Sequence, residues 1–224
     1  MLNNKQAVLF DLDGTLVDSM WLWTAVDETY FAEKGIAVSE IEEFQKELEG
    51  MGFTDTAVFF KEKFGIEDSI DTIKKRWVEL AQDKYCNEVP LKEGIKEFLI
   101  YLKEKEIPTA ICSSNSIQLI QMVLKAHGIE QYFTHSITCC DVAASKPAPD
   151  VYLAAASALG VCPENCLVFE DVPMGILAGK QAGMEVCAVE DSYSAGQREE
   201  KKKLADYYIE NYFQILDHTY EVLS

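Results

Sequence analysis

From Val89 onward the chain alternates short apolar runs with amphipathic stretches, and this alternation restricts the possible folds more than any other feature. Strand-like runs occupy residues 109–113, 136–140, 166–170 and 185–189, and helix-like segments occupy residues 94–105, 116–126, 150–159 and 175–182. The strand-like runs are rich in Val, Ile and Cys and lack polar alternation, which is typical of strands covered on both faces. Alternating strands and helices predict a parallel, doubly wound sheet.

The segment before this alternation has a different pattern. One apolar run, Ala7–Phe10, predicts a buried strand, and four helix-like segments without a strand follow it. These segments run over residues 20–34, from a capping box of Ser39 with Glu42 to Gly50, from Thr54 to Gly65, and from Ile70 to Lys84. We therefore predict an α/β core, residues 1–17 plus 88–224, with an all-helical domain, residues 18–87, inserted after the first strand.

The charge balance restricts the partners. With 38 acidic and 20 basic residues the formal charge is -18, which argues against nucleic acid or an anionic membrane as the main partner and favours a bound cation. No apolar run approaches the ~20 residues that span a bilayer, and we read no signal peptide at the N-terminus. The mixed-charge run Arg198–Lys203 is interpreted as a solvated helix face.

Seven cysteines without a CxxC pair indicate a reducing compartment, so we expect a cytoplasmic protein. Free cysteine packs as a small hydrophobic residue. We expect buried thiols where cysteines lie in or beside the apolar runs, at Cys112, Cys139, Cys140, Cys166 and Cys187.

Polar side chains follow four of the predicted strands, at the edge of the sheet where ligands bind in open parallel sheets. They are Asp11, Asp13, Gly14 and Thr15 after the first strand, Ser113, Ser114 and Asn115 after the second, Ser145 and Lys146 after the third, and Glu170 and Asp171 after the fourth. Four carboxylates that converge without a cation would repel one another, whereas Mg²⁺ takes carboxylate, water and phosphate oxygens as ligands. We therefore expect a Mg²⁺ site at this edge.

Such a site is suited to phosphoryl transfer. One carboxylate can attack phosphorus, and a second, two residues on, can protonate the leaving oxygen and then deprotonate water. Lys146 supplies a positive charge and Ser113 a hydrogen-bond donor to the phosphoryl oxygens.

Four motifs in this order resemble those of the haloacid dehalogenase-like hydrolases. They are DLDGTLVDS from Asp11, CSSN from Cys112, KPAPD from Lys146 and FEDVPMG from Phe169. The resemblance covers the whole chain and implies a Rossmann-like core with a helical cap after the first motif, as in the subgroup of β-phosphoglucomutases and sugar-phosphate phosphatases.

The resemblance also implies roles for the motif residues. Asp11 would be the nucleophile and a Mg²⁺ ligand, and Asp13 the general acid/base, binding metal through its backbone carbonyl. Asp171 would be a second carboxylate ligand, with Glu170 binding directly or through water. The phosphoryl group would be held by Lys146 and the serine motif, which comprises Ser113, Ser114 and Asn115. Either serine could contact it, and both could instead cap the following helix; Asp18 could cap the first cap helix.

The cap departs from some members of the family. Mutases of the subgroup tend to have a histidine where Trp23 stands, and phosphonate hydrolases need a lysine near the turn from Gly50 to Phe53, which reads GMGF. Metal-independent dehalogenases lack the second aspartate, Asp13. We therefore expect a monomeric, Mg²⁺-dependent phosphatase for a small phosphorylated metabolite, with Trp23 and Phe53 as specificity residues. The alternatives are a β-phosphoglucomutase-like mutase and a non-catalytic metabolite-binding or partner-binding module.

Overall fold

The computed structural model describes residues 1–37 and 44–223. Its strands are β1 (Ala7–Phe10), β2 (Thr109–Ser113), β3 (Phe133–Thr138), β4 (Cys166–Glu170), β5 (Glu185–Val189), β6 (Tyr207–Ile209) and β7 (Glu221–Val222). Its helices are α1 (Met20–Lys34), α2 (Gln45–Leu48), α3 (Phe53–Phe64), α4 (Ile70–Asn87), α5 (Ile95–Glu104), α6 (Ile117–Ala126), α7 (Asp150–Leu159), α8 (Pro173–Gln181), α9 (Arg198–Leu204) and α10 (Phe213–Leu216). The predicted capping box of Ser39 and Glu42 lies outside the described residues.

The strands form one sheet in the order β3-β2-β1-β4-β5-β6-β7. Every neighbouring pair is parallel except β6 and β7, which are antiparallel. Phe10, the last residue of β1, pairs with Ile111 of β2 on one side and with Phe169 of β4 on the other. The residues that follow β1, β2 and β4 therefore emerge side by side at one edge of the sheet.

Both faces of the sheet are buried, as the apolar strand pattern predicted. Val8 and Phe10 belong to a core cluster with residues of α5 and α6, whereas Ala7 and Leu9 belong to a second cluster with residues of α7 and α8. Because successive strand residues point to opposite faces, helices cover both sides. The fold is thus the doubly wound, Rossmann-like α/β type that the sequence predicted.

In chain order, helices α1 to α4 follow β1 and precede all other strands. Their core is aromatic: the ring of Phe60 packs edge to face against Phe31 and Trp77. α1 and α3 end at glycines with left-handed backbone, Gly35 (φ 70°) and Gly65 (φ 64°), as predicted. The division at residues 17/18 and 87/88 remains a prediction. Within residues 1–37 and 44–223, no helix combines the length and the apolar character needed to cross a membrane.

The third strand was predicted in the wrong place. It runs over Phe133–Thr138 rather than residues 136–140, because the Thr138 hydroxyl accepts a hydrogen bond from the Cys140 backbone N–H at 3.2 Å and starts a short 3₁₀ turn. The turn leaves Cys140 exposed, contrary to the prediction, whereas Cys112, Cys139, Cys166 and Cys187 are buried.

The N-caps of two helices are not the residues that the sequence offered as candidates. Helix α1 begins after Ser19 rather than Asp18, and the N-cap of α6 is Ser116, whose hydroxyl accepts from the Leu119 N–H at 3.4 Å. Ser113 and Ser114 are therefore not the caps of α6, and their side chains are left for other contacts.

The mixed-charge run is not fully solvated. It forms most of α9, but Lys201 is completely buried and its ammonium donates to the carbonyl of Val189 and to the hydroxyl of Ser194. Charge pattern alone did not reveal this, because the lysine is satisfied by groups from other parts of the chain.

Candidate active site

A buried ion cluster forms at the edge of the sheet where β1 and β4 end. The Lys146 ammonium lies 2.6 Å from Asp11 Oδ1 and 2.6 Å from Glu170 Oε1, and it donates to the Cys112 carbonyl at 3.0 Å. Asp171 follows Glu170 and is also buried. The structure therefore brings together four predicted residues from three loops, and we call Asp11, Lys146, Glu170 and Asp171 the acidic floor.

Burial changes the acid–base properties of the floor. Loss of solvent raises the pKa of Asp11 to about 8, although Lys146 beside it acts in the opposite direction. Burial also raises the pKa of Asp171 well above its usual range, with Asp11 and Glu170 adding repulsion. For Lys146 burial works to lower the pKa, but the two carboxylates raise it well above the usual range. The floor therefore has three carboxyl groups and one ammonium group, so Lys146 cannot neutralise all three when they are ionised.

The floor has the composition of a metal site. Asp11, Glu170 and Asp171 each offer one oxygen within 4.8 Å of the others. Asp171 Oδ1 accepts from Thr15 at 3.1 Å, but the buried Oδ2 has no hydrogen-bond partner among the described residues. A buried oxygen left without a donor is costly, and a hard divalent cation is its natural partner. The residues present thus fit a divalent cation.

Close packing around this oxygen depends on glycine. Gly14 has φ 79°, and a side chain there would collide with the Asp171 carboxylate. The glycine of the DLDG motif is therefore explained by both its backbone conformation and the space that Asp171 occupies.

Asp13 lies in a separate cluster of hydrogen-bond donors. Its Oδ1 accepts from Ser19 at 2.5 Å, from Trp23 Nε1 at 3.3 Å and from the hydroxyl of Tyr85, and its Oδ2 accepts from Asn115 Nδ2 at 2.9 Å. Sequence reasoning missed Tyr85, because a tyrosine on an amphipathic helix gives no signal beyond core packing.

The serine motif divides between two environments. The Ser113 hydroxyl accepts from the Asn115 backbone N–H at 3.0 Å, whereas the Ser114 hydroxyl donates to the Gly50 carbonyl at 3.1 Å. The Asn115 amide is occupied by Asp13 and by Tyr85, to which it donates at 2.8 Å. All three residues border the same cavity as the acidic floor.

That cavity has a volume of about 490 Å³ and lies between the floor and the helical segment. We call its opposite side the cap wall, which contains Trp23, Asp27, Glu28, Glu49, Phe53, Phe60 and Trp77. The rings of Trp23 and Phe53 pack edge to face with centroids 6.0 Å apart. The predicted specificity residues therefore both face the cavity, as neighbours.

The turn after α2 is fastened to the core. The Phe53 N–H donates to the Ser114 carbonyl at 2.7 Å, and the Gly52 N–H donates to the Ser145 hydroxyl at 3.0 Å. Glu49 accepts from Gln197 Nε2 at 2.6 Å and from the Met174 N–H at 3.2 Å. These contacts join the turn to the serine motif, to the residue before Lys146 and to the start of α8.

Further groups that sequence reasoning missed support the acidic floor. Tyr152 donates its hydroxyl to Glu170 at 2.5 Å. Ser194 donates to the Asp171 backbone carbonyl at 2.8 Å and accepts from Lys201 at 2.9 Å. Contacts between residues so far apart in the chain leave no local signal in the sequence.

Comparison with known proteins points to one family. The haloacid dehalogenase-like hydrolase model matches residues 8–189. A phosphorylated carbohydrates phosphatase of Thermotoga maritima is 29% identical over 180 residues, covering 80% of this chain and 82% of that protein. Hexitol phosphatase A of Escherichia coli is 31% identical over 182 residues, 81% of each chain. The crystal structure of CbbY from Rhodobacter sphaeroides in complex with phosphate has a TM-score of 0.78 at 25% identity, covering 92% of this chain and 94% of that one.

Proposed function

Because the chain belongs to the haloacid dehalogenase-like hydrolases, we propose that it is a Mg²⁺-dependent phosphatase that hydrolyses a small phosphate monoester through an aspartyl-phosphate. The observation that carries the proposal is the acidic floor, in which Lys146 lies 2.6 Å from Asp11 and the Asp171 Oδ2 is buried without a donor among the described residues. The names of the two related phosphatases, for phosphorylated carbohydrates and for hexitol, support a sugar or polyol phosphate as substrate.

In the first half-reaction Asp11 is the nucleophile. A carboxylate oxygen of Asp11 attacks phosphorus, the bond from phosphorus to the leaving alcohol breaks, and Asp13 gives its proton to the alcohol oxygen. Lys146 offsets the charge on the phosphoryl oxygens and keeps the Asp11 carboxylate in place through its 2.6 Å contact.

In the second half-reaction water cleaves the aspartyl-phosphate. Asp13, now a carboxylate, takes a proton from the water as its oxygen attacks phosphorus, and inorganic phosphate leaves while Asp11 is restored. One residue can thus serve first as acid and then as base, because the first step leaves it in the form that the second requires.

The cation would be held by Asp11, Glu170 and Asp171 together with the backbone carbonyl of Asp13. When bound, Mg²⁺ offsets the negative charge of the phosphoryl group and of the carboxylates around it. Of the two serines, Ser113 is our choice for the phosphoryl contact, since the Ser114 hydroxyl donates to Gly50. Asn115 would then contribute through Asp13.

Charge on the cap wall favours a phosphatase over a mutase. A mutase that works through a bisphosphate needs cationic groups for the second phosphate. Among the described residues lining the cavity, Lys146 is the one basic side chain, whereas the cap wall offers Asp27, Glu28 and Glu49. The cytoplasmic location and the monomeric state stay predictions; the seven free cysteines support the former.

The test is phosphate release from a panel of sugar phosphates, polyol phosphates and nucleotides. We expect turnover with Mg²⁺, none after exhaustive chelation, and inhibition by Ca²⁺, which favours more ligands and a looser geometry. A hexose 1-phosphate with its bisphosphate is the control for the mutase. Full activity in the chelator would contradict the metal requirement, and isomerisation with little phosphate release would establish the mutase instead.

A further inference from the structure

The Asp13 carboxylate accepts four hydrogen bonds, most of them at one oxygen. Ser19, Trp23 and Tyr85 donate to Oδ1, whereas Oδ2 accepts only from Asn115 and keeps an acceptor position for the proton that a general acid carries. Two of the donors, Trp23 and Tyr85, stand on the helices α1 and α4, whereas Asn115 follows β2 in the core. The orientation of Asp13 therefore depends on groups from the core and from the helical segment together.

Tyr85 is the most strongly constrained of these donors. Its side chain is completely buried, and its ring packs edge to face on Trp23 with centroids 6.0 Å apart. Its oxygen accepts the Asn115 amide at 2.8 Å, which leaves the hydroxyl hydrogen for Asp13.

Tyr85 does not need to touch the substrate to act. Asp13, Trp23 and Asn115 border the cavity, but Tyr85 is absent from the described residues that line it. It lies behind Asp13 and contacts the carboxylate from the side of α4. A change at Tyr85 can therefore alter the orientation of Asp13 without altering the shape of the cavity.

We propose that Tyr85, oriented by Asn115, is a positioning residue that fixes the Asp13 carboxyl group for proton transfer to the leaving alcohol. The inference rests on the proposed function, in which Asp13 is the general acid/base. A misaligned acid transfers its proton poorly, and a positioned one contributes roughly 10²- to 10⁴-fold to rate. Loss of the Tyr85 hydroxyl should remove part of that contribution.

The test compares two esters that differ in their need for the acid. An alkyl ester such as sorbitol 6-phosphate requires protonation of its leaving oxygen, whereas p-nitrophenolate leaves without it. For Tyr85→Phe we expect kcat/KM to fall about 10- to 100-fold with sorbitol 6-phosphate and less than about 3-fold with p-nitrophenyl phosphate. Since kcat/KM reports the steps through formation of the aspartyl-phosphate, slow hydrolysis of that intermediate does not hide the difference.

Tyr30→Phe is the matched control. Tyr30 is also completely buried among the cap helices and donates its hydroxyl to an aspartate, Asp68, at 3.4 Å, but it does not border the cavity. We expect both kcat/KM values to stay near wild type in this variant. If Tyr85→Phe fails to fold, Asn115→Leu, which removes the donor to both Tyr85 and Asp13, should show the same selective loss.

The outcomes separate this inference from the proposed function. Asp13→Asn should slow the alkyl ester strongly; if it does not, the proposed role of Asp13 fails. If Asp13→Asn is impaired while Tyr85→Phe loses equally on both esters, or loses nothing, the role of Tyr85 is wrong and the proposed function stands. A selective loss in Tyr30→Phe would also overturn the inference.

Discussion

The acidic floor and the cap wall face each other across one cavity but are built in opposite ways. On the floor, Lys146 is bonded to Asp11 and Glu170, so the charged groups hold one another in position. On the cap wall, the rings of Trp23 and Phe53 pack on each other, and Asp27 has no hydrogen bond or ion pair to any part of the chain that the structure describes. Lys146 therefore fixes two floor carboxylates before a substrate arrives, whereas no basic residue among the described ones fixes Asp27 on the wall.

This difference separates chemistry from selectivity. Buried charges cost several kcal/mol each unless they are paired, so a floor residue cannot change without disturbing its neighbours. Aromatic residues of the wall can change size and still leave the floor intact. We therefore expect substitutions on the floor to abolish turnover of every ester, and substitutions on the wall to change which ester is preferred.

The largest expected effect is that of Asp11→Asn. An amide cannot attack phosphorus, so we expect turnover to fall by about 10⁴-fold or more with every ester tested. The amide has nearly the shape of the carboxylate and removes repulsion with Glu170, so the fold should remain. Phosphate release and the urea midpoint of unfolding check the two parts. Loss of activity with only some esters would mean that the floor also determines selectivity.

The same contrast decides what the sequence could predict. Asp11, Lys146, Glu170 and Asp171 each follow a strand, and parallel strands end at one edge of a sheet, so both their convergence and the fold were predictable. Tyr152 and Lys201 support this floor from a distance in the chain, and their contacts depend on packing that no local pattern encodes. Short elements such as β6 and β7 were missed because two or three residues carry no periodicity.

The cap wall was predictable only in part. Trp23 and Phe53 were placed on it by resemblance, and the structure puts both at the cavity. Asp27 gave no signal, since an acidic residue on an amphipathic helix is usually solvated. Phosphate binding by Asn115 stays a prediction, and the contacts of its amide with Asp13 and Tyr85 could not be read from the motif. A motif thus indicates which residues meet at the site, whereas individual contacts require the structure.

A smaller effect is expected from the aromatic pair of the wall. Phe53→Ala should change the ratio of kcat/KM between a bulky sugar phosphate and p-nitrophenyl phosphate by about 10-fold, because the truncated side chain loses apolar contact with the sugar on the order of 1 kcal/mol. Trp23→Ala should change the same ratio of kcat/KM, and it also removes the hydrogen bond from Trp23 to Asp13. Equal losses on all esters in Phe53→Ala would show that the wall shares in the chemistry, against the comparison.

The smallest expected effect is on the free energy of unfolding, and it comes from Asp27, the unpaired carboxyl group of the wall. Burial raises the pKa of Asp27 to about 7, whereas an unfolded aspartate has a pKa near ~3.9. Between these values the folded state binds more protons than the unfolded state, so this group lowers the free energy of unfolding as pH rises from about 4 to 7, with no further change above.

Asp27→Asn removes the cost of the buried charge. We expect the variant to be more stable than wild type by about 1–3 kcal/mol at pH 8, with a smaller gain at pH 5. Asp71→Asn, on the exposed start of α4, is the matched control and should show no such pH-dependent gain. The free energies of unfolding of the three proteins, measured in urea at both pH values, test this prediction. A gain equal at pH 5 and pH 8 would mean that Asp27 is solvated and that the wall holds no buried, unpaired carboxylate.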